Sequence, residues 1–282
     1  MKVNTFFSRL SLALVIFVAS ASVLFAALPT GNSALQFGSG QYCFRSTPIS
    51  TLTDNLTMQC WVKWDGTNAA NEMHIYYNGN GSNSGYGIFT QAGTQNIGLL
   101  CGGVNIAYST TPLSANNWQH LALVRNAGFW TLYVNGVATT LAGVNITPNT
   151  PATPIVNTLG ATLATDGFRG VIDEVSFWSA PLSGANILAY KDFPISSGHP
   201  NFASLVAYYQ LNEGTGQVAG SGTGLDLQLG STVGVDADDP TWVVSDSPIV
   251  PTLGEWGMII LGVVLLYAGY RYISRRRTTA IA

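Results

Sequence analysis

Hydrophobic and polar positions alternate most cleanly over residues 118–136, WQHLALVRNAGFWTLYVNG. Leu121, Leu123 and Arg125 alternate with Ala122 and Val124. After a short Asn-Ala-Gly turn, Trp130, Leu132 and Val134 alternate with Phe129, Thr131, Tyr133 and Asn135. A period of two, rich in β-branched and aromatic side chains, predicts two strands. Asn135-Gly136 supplies residues that tolerate positive φ at both centres of a type I′ turn, so the meander continues into residues 137–141. Shorter runs of the same kind cover 34–37, 41–45, 58–64, 74–78, 86–90 and 97–100, with Gly, Asn and Ser turns between them. Residues 144–157, rich in Thr and Pro, read as a loop. A strand over 168–179 precedes a short helix at 184–190, and 205–242 reads as closing strands. The chain is thus predicted to be all-β.

Several of these runs carry a resemblance. The W-x-H-(apolar)4 strand and its W-x-L-Y-V-N-G partner are joined by FRGVIDEVSFWS and then by Leu182-Ser183 and Ile187. Phe168, Gly170, Ile172, Asp173, Glu174, Val175, Trp178, Leu182, Ser183 and Ile187 match the most specific motif of the laminin G-like (concanavalin A-like) jelly-roll family; Asn186 stands where Glu is usual. The segment LVAYYQLNEGTG, from Leu205, resembles the family's lead-in. The resemblance implies one antiparallel jelly-roll sandwich over 28–195, closed by strands from 196–246. It also implies non-catalytic binding of a glycan or an extracellular-matrix partner. The alternatives are a structural component of an extracellular polysaccharide matrix, or a glycoside-active enzyme.

Both ends read as addresses. Lys2 and Arg9 precede an apolar run at 10–18 and small residues at 19–22, with Ala26-Ala27 as a cleavage site, so 1–27 reads as a secretory signal peptide; an uncleaved anchor is the rival. At the other end, Val250 is followed by Pro251, Thr252, Leu253, Trp256 and Gly257, an apolar stretch at 258–270, and Arg275, Arg276 and Arg277. This tail, 250–277, resembles the IPTLxxWG-type C-terminal sorting signal of Gram-negative bacteria. That resemblance implies export, a transmembrane helix held in the inner membrane with its arginines in the cytoplasm, and processing by an exosortase-like enzyme that leads to the cell surface. A plain single-pass anchor is the alternative.

Between these ends, 28–249 holds five basic residues against thirteen acidic ones. That balance argues against nucleic acid and anionic membrane as partners. Three cysteines, Cys43, Cys60 and Cys101, leave three pairings open or act as small buried hydrophobes. Pentraxins, a sister family, carry a half-cystine at the position of Cys60, but the matching partner position is Ala122, so that bridge is not available.

Candidate chemistry is sparse. Glucanase relatives align two carboxylates on one strand face, about 5 Å apart. Here Asp173 and Glu174 are adjacent, which in a regular strand sends them to opposite faces. No catalytic residue is assigned. Asp54 and Asp166 are candidate calcium ligands of the laminin type, with Asp236, Asp238 and Asp239 a weaker set. Tyr76, Tyr77 and Tyr86 flank a Gly/Asn/Ser loop and are candidates for stacking on sugar rings.

Overall fold

The computed structural model describes residues 32–102, 105–144, 150–161, 166–249, 262–267 and 269. The signal peptide and the sorting-motif residues named above lie outside these. Among the described residues, no helix is long and apolar enough to cross a membrane.

The described chain is a two-sheet antiparallel sandwich. Its strands are β1 (Ser33–Phe37), β2 (Cys43–Arg45), β3 (Leu56–Trp64), β4 (Met73–Gly79), β5 (Gly85–Thr90) and β6 (Asn96–Cys101). They continue as β7 (Asn105–Pro112), β8 (Trp118–Asn126), β9 (Phe129–Val134), β10 (Val137–Thr139), β11 (Leu141–Val144) and β12 (Asn157–Leu159). Then follow β13 (Gly170–Trp178), helix α1 (Gly184–Tyr190), a 3-10 turn (Phe202–Ser204), β14 (Leu205–Tyr209), β15 (Val218–Ala219), β16 (Leu227–Leu229) and β17 (Thr241–Val244). The first sheet runs β10-β9-β8-β3-β13-β1-β17, with β14 also paired to β13; the second runs β11-β7-β6-β5-β4-β12-β2-β16-β15. The all-β jelly-roll expectation holds.

Local chemistry explains the meander. Asn126 pairs with Phe129, so β8 and β9 are joined by Ala127 and Gly128, at φ 47 and 87. Val134 pairs with Val137 across Asn135 and Gly136, at φ 52 and 79. Both are two-residue turns with positive φ throughout, which matches the right-handed twist of the flanking strands. The run predicted as one strand at 137–141 divides: β10 stays in the first sheet, and after Thr140 the chain enters the second as β11. Strand β7 was not legible in the pattern. Its inward positions are the small Ala107 and Ser109, both buried, so the apolar alternation is faint.

The core lies between the sheets. Leu121, Leu123 and Leu132 from the meander meet Met58, Cys60 and Val62 of β3, and Ile75, Tyr76 and Ile88 of the second sheet. Removing each such large apolar side chain from water contributes about 1.5–3 kcal/mol. All three cysteines are free and buried. Cys60 lies opposite Leu121, whereas Ala122 lies opposite Gln59. Burial raises all three thiols, that of Cys101 to about 12, so they are protonated packing groups.

Strand β13 breaks its own period. Ile172, Val175 and Phe177 all face the core, a spacing of three and then two. The extra residue is a bulge, marked by a register shift between Asp173 and Ser176 and by Glu174 at φ 52. Ahead of it β13 pairs with β1; beyond it β13 pairs with β14.

Gly136 tests the packing of the meander on the helix. A Cβ there would lie 2.8 Å from Leu188 Cδ1 and 2.9 Å from its Cα, whereas one at Gly93, also at positive φ, meets nothing within 4 Å. Gly136→Ala is expected to cost about 2–4 kcal/mol in urea denaturation, and Gly93→Ala only about 1 kcal/mol. Equal costs would show that the turn does not abut α1.

Candidate functional site

The structure separates the residues that the sequence nominates. Tyr76 and Tyr86 point into the inter-sheet core, and Tyr77 lies on the outer face of the second sheet beside Phe89; all three are 0% exposed. A register irregularity between His74 and Tyr76 turns Ile75 and Tyr76 inward together. Tyr86 donates its hydroxyl to Leu52 O (2.6 Å), and Tyr77 Oη accepts Gly102 N–H (2.8 Å). The Gly/Asn/Ser loop folds on itself, with Asn80 Oδ1 accepting the N–H groups of Ser82, Asn83 and Ser84. These tyrosines therefore offer no stacking platform.

Asp54 and Asp166 are not brought together. Asp54 Oδ1 accepts N–H from Asn55 (2.8 Å) and Gly128 (3.0 Å) and lies 3.5 Å from Arg125 Nε, so it caps the β8–β9 turn. Asp166 lies beside the start of β4: its carbonyl accepts His74 N–H (2.8 Å), and its Oδ2 lies 3.7 Å from His74 Nε2. Burial lowers the pKa of His74 against the opposing pull of Asp166 and Glu72. The other end of β4, at Asn78, bonds Ile49 and Ser50, on the Asp54 side of the sandwich. From His74 to Asn78 is about 13 Å of strand, and one calcium reaches oxygens at about 2.3–2.6 Å. The two carboxylates cannot share an ion. Asp236 organises its own turn, accepting the hydroxyls of Ser231 and Thr232 and the N–H of Asp238.

Recessed polar surface instead gathers on the outer face of the first sheet. Helix α1 is docked there by Ile187 and Leu182 against Ala122, Val124 and Trp178. Ser183 caps it, its hydroxyl accepting Asn186 N–H (3.2 Å). Asn186, in place of the usual Glu, reaches out to Asn201 Oδ1 (2.7 Å). Beside the helix is a cleft of about 30 Å³, with Gln59, His120, Glu174 and Ser176 among its polar groups and Trp61, Trp178 and Tyr190 among its rings. Gln59 Nε2 and Trp178 Nε1 donate to Ser176 Oγ (3.4 and 3.0 Å), and Trp61 Nε1 donates to Lys191 O (2.8 Å). His199 packs between Trp178 (4.7 Å) and Tyr190 (4.5 Å). Burial, reinforced by Lys191, holds His120 neutral with a pKa of about 3.

The bulge directs both acids of β13 away from the core, which corrects the opposite-face expectation. Asp173 pairs with Trp61, a cleft residue, and Glu174 lines the same cleft. Asp173 is 0% exposed; its Oδ2 accepts Ser245 Oγ–H (2.6 Å), and its Oδ1 accepts Glu174 N–H (2.9 Å). Glu174 Oε2 accepts the hydroxyl of Tyr208. Desolvation raises Asp173 to about 6 and Glu174 to about 8. At neutral pH Glu174 is therefore a largely protonated carboxyl. Tyr208, which also accepts Ile195 N–H (3.2 Å), borders a second and more open recess of about 590 Å³. That recess includes Phe202, Leu205, Gln210, Asn212 and Thr223. Sequence reasoning missed this surface; the one local signal was the three-residue apolar spacing from Ile172 to Val175.

A family model described as the concanavalin A-like lectin/glucanases superfamily matches residues 37–188, and an IPTL-CTERM motif matches 250–277. No curated protein sequence matches the chain. Among solved structures, a protein of Bacteroides ovatus described as a candidate carbohydrate binding protein is similar at 18% identity and a TM-score of 0.58, over 77% of this chain and 61% of that one. The chain thus spans less than two thirds of that protein. Domain 4 of AbnA, a GH43 extracellular arabinanase from Geobacillus stearothermophilus, solved with arabinotriose, is similar at 20% identity and a TM-score of 0.46, over 55% of this chain and 75% of that one. The heptameric SAP-like pentraxin of Limulus polyphemus is similar at 14% identity and 0.43, over 55% and 80%.

The raised acids make stability depend on pH. A carboxyl with a raised folded pKa favours folding below its unfolded pKa, and that contribution is lost as pH rises through the folded value. For Asp173 and Glu174 the window runs from the ordinary carboxylate range to about 6 and about 8. The melting temperature is expected to fall from about pH 4 to about pH 8, less steeply above about pH 6, each fully titrating group contributing at most about 1.4 kcal/mol per pH unit. Glu174→Gln, which keeps an acceptor for Tyr208, should flatten the upper part of that profile; an unchanged slope would show that Glu174 is ionised in the folded protein.

Proposed function

The chain belongs to the concanavalin A-like lectin/glucanases superfamily, and from that premise we propose that it is an exported, surface-displayed protein that binds glycan without cleaving it. The observation that carries this reading is the recessed surface around Tyr208, where aromatic side chains and hydrogen-bonding groups, mostly uncharged, lie side by side on the solvent side of the first sheet. Ligand sites commonly combine apolar walls with a few placed polar groups. Sugars present the complementary surface, an apolar ring face edged by hydroxyls. The description of the Bacteroides ovatus protein supports the same ligand class.

The β13 acids support a non-catalytic role. A retaining glycosidase needs two carboxylates flanking the scissile bond. Asp173 is sealed under Ser245 and Glu174 is engaged by Tyr208, so neither is free to flank a substrate. Calcium is not part of this reading, because the recess involves neither Asp54 nor Asp166. The IPTL-CTERM motif supports display: the apolar stretch at 258–270 would hold the chain in the inner membrane until an exosortase-like enzyme processes the tail.

A glycan array probed with the full chain, in calcium and again in chelator, tests this. Saturable binding of the same glycans in both buffers, without release of reducing sugar, is expected. Reducing-sugar release would make the protein an enzyme, and no saturable binding would favour a matrix-building role. Replacing Pro251 and Trp256 with Ala is expected to leave the chain in the inner-membrane fraction; unchanged surface display would remove the sorting role.

A further inference from the structure

We infer that the ligand is an uncharged glycan chain, and that it lies in the open groove built by residues 195–223, beyond the stretch that the family model matches. This rests on the glycan-binding reading and specifies both where the ligand sits and what charge it carries.

Size separates the two recesses. The cleft beside α1, at about 30 Å³, holds little more than one water. The groove, at about 590 Å³, falls within the range of ligand sites. It is also firmly built. Its strand, β14, is paired along β13, and Thr223 Oγ1 donates to Val206 O (3.0 Å), tying the opposing loop to that strand. Asn212 Oδ1 accepts Ser33 N–H (3.0 Å), and Glu213 Oε1 accepts Gly220 N–H (2.8 Å). Little ordering remains for a ligand to impose.

The unused polar atoms define the ligand. Fixing Asn212 through its Oδ1 leaves its amide NH2 as a donor, and fixing Glu213 through Oε1 leaves Oε2 as an acceptor. Both side chains are exposed. A hydroxyl both donates and accepts, so sugar hydroxyls can serve either kind of group. A uronate carboxylate or a sulfate only accepts, and would meet the Glu213 charge. Among the described residues, no Lys, Arg or His lines the groove, so none of these lining side chains offsets an anion. The acidic excess of 28–249 repels polyanions further. Phe202, 41% exposed, provides a ring for the apolar face of a sugar.

The test is calorimetric titration of the full chain with three probes: a neutral cello-oligosaccharide, an oligogalacturonate and a heparin oligosaccharide. The array described above first replaces the neutral probe with the best neutral hit. The expected result is saturable neutral binding, with both anionic probes at least about tenfold weaker. Phe202→Ala and Glu213→Gln should each weaken neutral binding about three- to tenfold with unchanged melting temperature, and Glu213→Lys should narrow the gap between the oligogalacturonate and the neutral probe. Anionic binding equal to neutral binding would overturn the charge assignment. Neutral binding untouched by both Phe202→Ala and Glu213→Gln would overturn the groove and leave the glycan reading standing. Absence of binding to every glycan would overturn the reading itself.

Discussion

The fold depends on how one strand shares its edge. β13 pairs along its length with β3, but its other edge is divided, β1 taking the first part and β14 the second. Two strands can lie end to end on one edge only if the chain between them is satisfied, because buried backbone polar groups are costly to leave unpaired. The bulge at Asp173-Glu174 sits at that junction. Ser245 is anchored to Asp173, and Ser33 Oγ donates to Leu211 O (2.7 Å) where Leu211 turns at φ 57. The last strand, β17, is held beside β1, with Ser245 N donating to Asn32 O just beyond the pairing. The first and last described strands are thereby tied to the centre of the same sheet.

The same junction shapes the outer surface. Inserting one residue moves Glu174 out of the strand's phase and into a cleft walled by aromatic rings, where desolvation keeps it largely protonated. A protonated carboxyl can hold Tyr208 and present a neutral group there; an ionised one would add a second carboxylate to the surface that also carries Glu213. The strain of a non-glycine residue at positive φ, of order 1–3 kcal/mol, is sustained by strands on both sides. Asp173 fastens the end of β17 through Ser245, and Glu174 fastens β14 through Tyr208.

The groove at 195–223 shows how a common sandwich acquires surface of its own. Helix α1 and the 3-10 turn lead the chain across the outer face before β14 returns it to the sheet, and the loop that reaches β15 and β16 then crosses to the second sheet. That path leaves polar side chains of 210–223 beside apolar ones of 195–208. Neither segment has such character alone.

Much was legible from local rules. Asn135-Gly136 dictates its turn because two successive positive φ values suit few residues, and the alternation around Leu121 and Leu132 dictates strands because one face must be apolar. The motif from Phe168 to Ile187 indicated the family, and the tail from Pro251 to Arg277 indicated the sorting signal. Period two, however, fixes phase only within an unbroken run. Tyr76 and Tyr86 could not be told from surface rings, because pairing with neighbouring strands decides which face is covered. Asp54 and Asp166 could not be placed, because the length of β4 separates them in space and only the sheet order reveals it. Strands, turns and the sandwich class could be read along the chain, since these follow from steric and hydrophobic preferences of adjacent residues. Which acids lose their water and which side chains share a groove became visible in the packed sheets, because burial and proximity are properties of residues far apart in sequence.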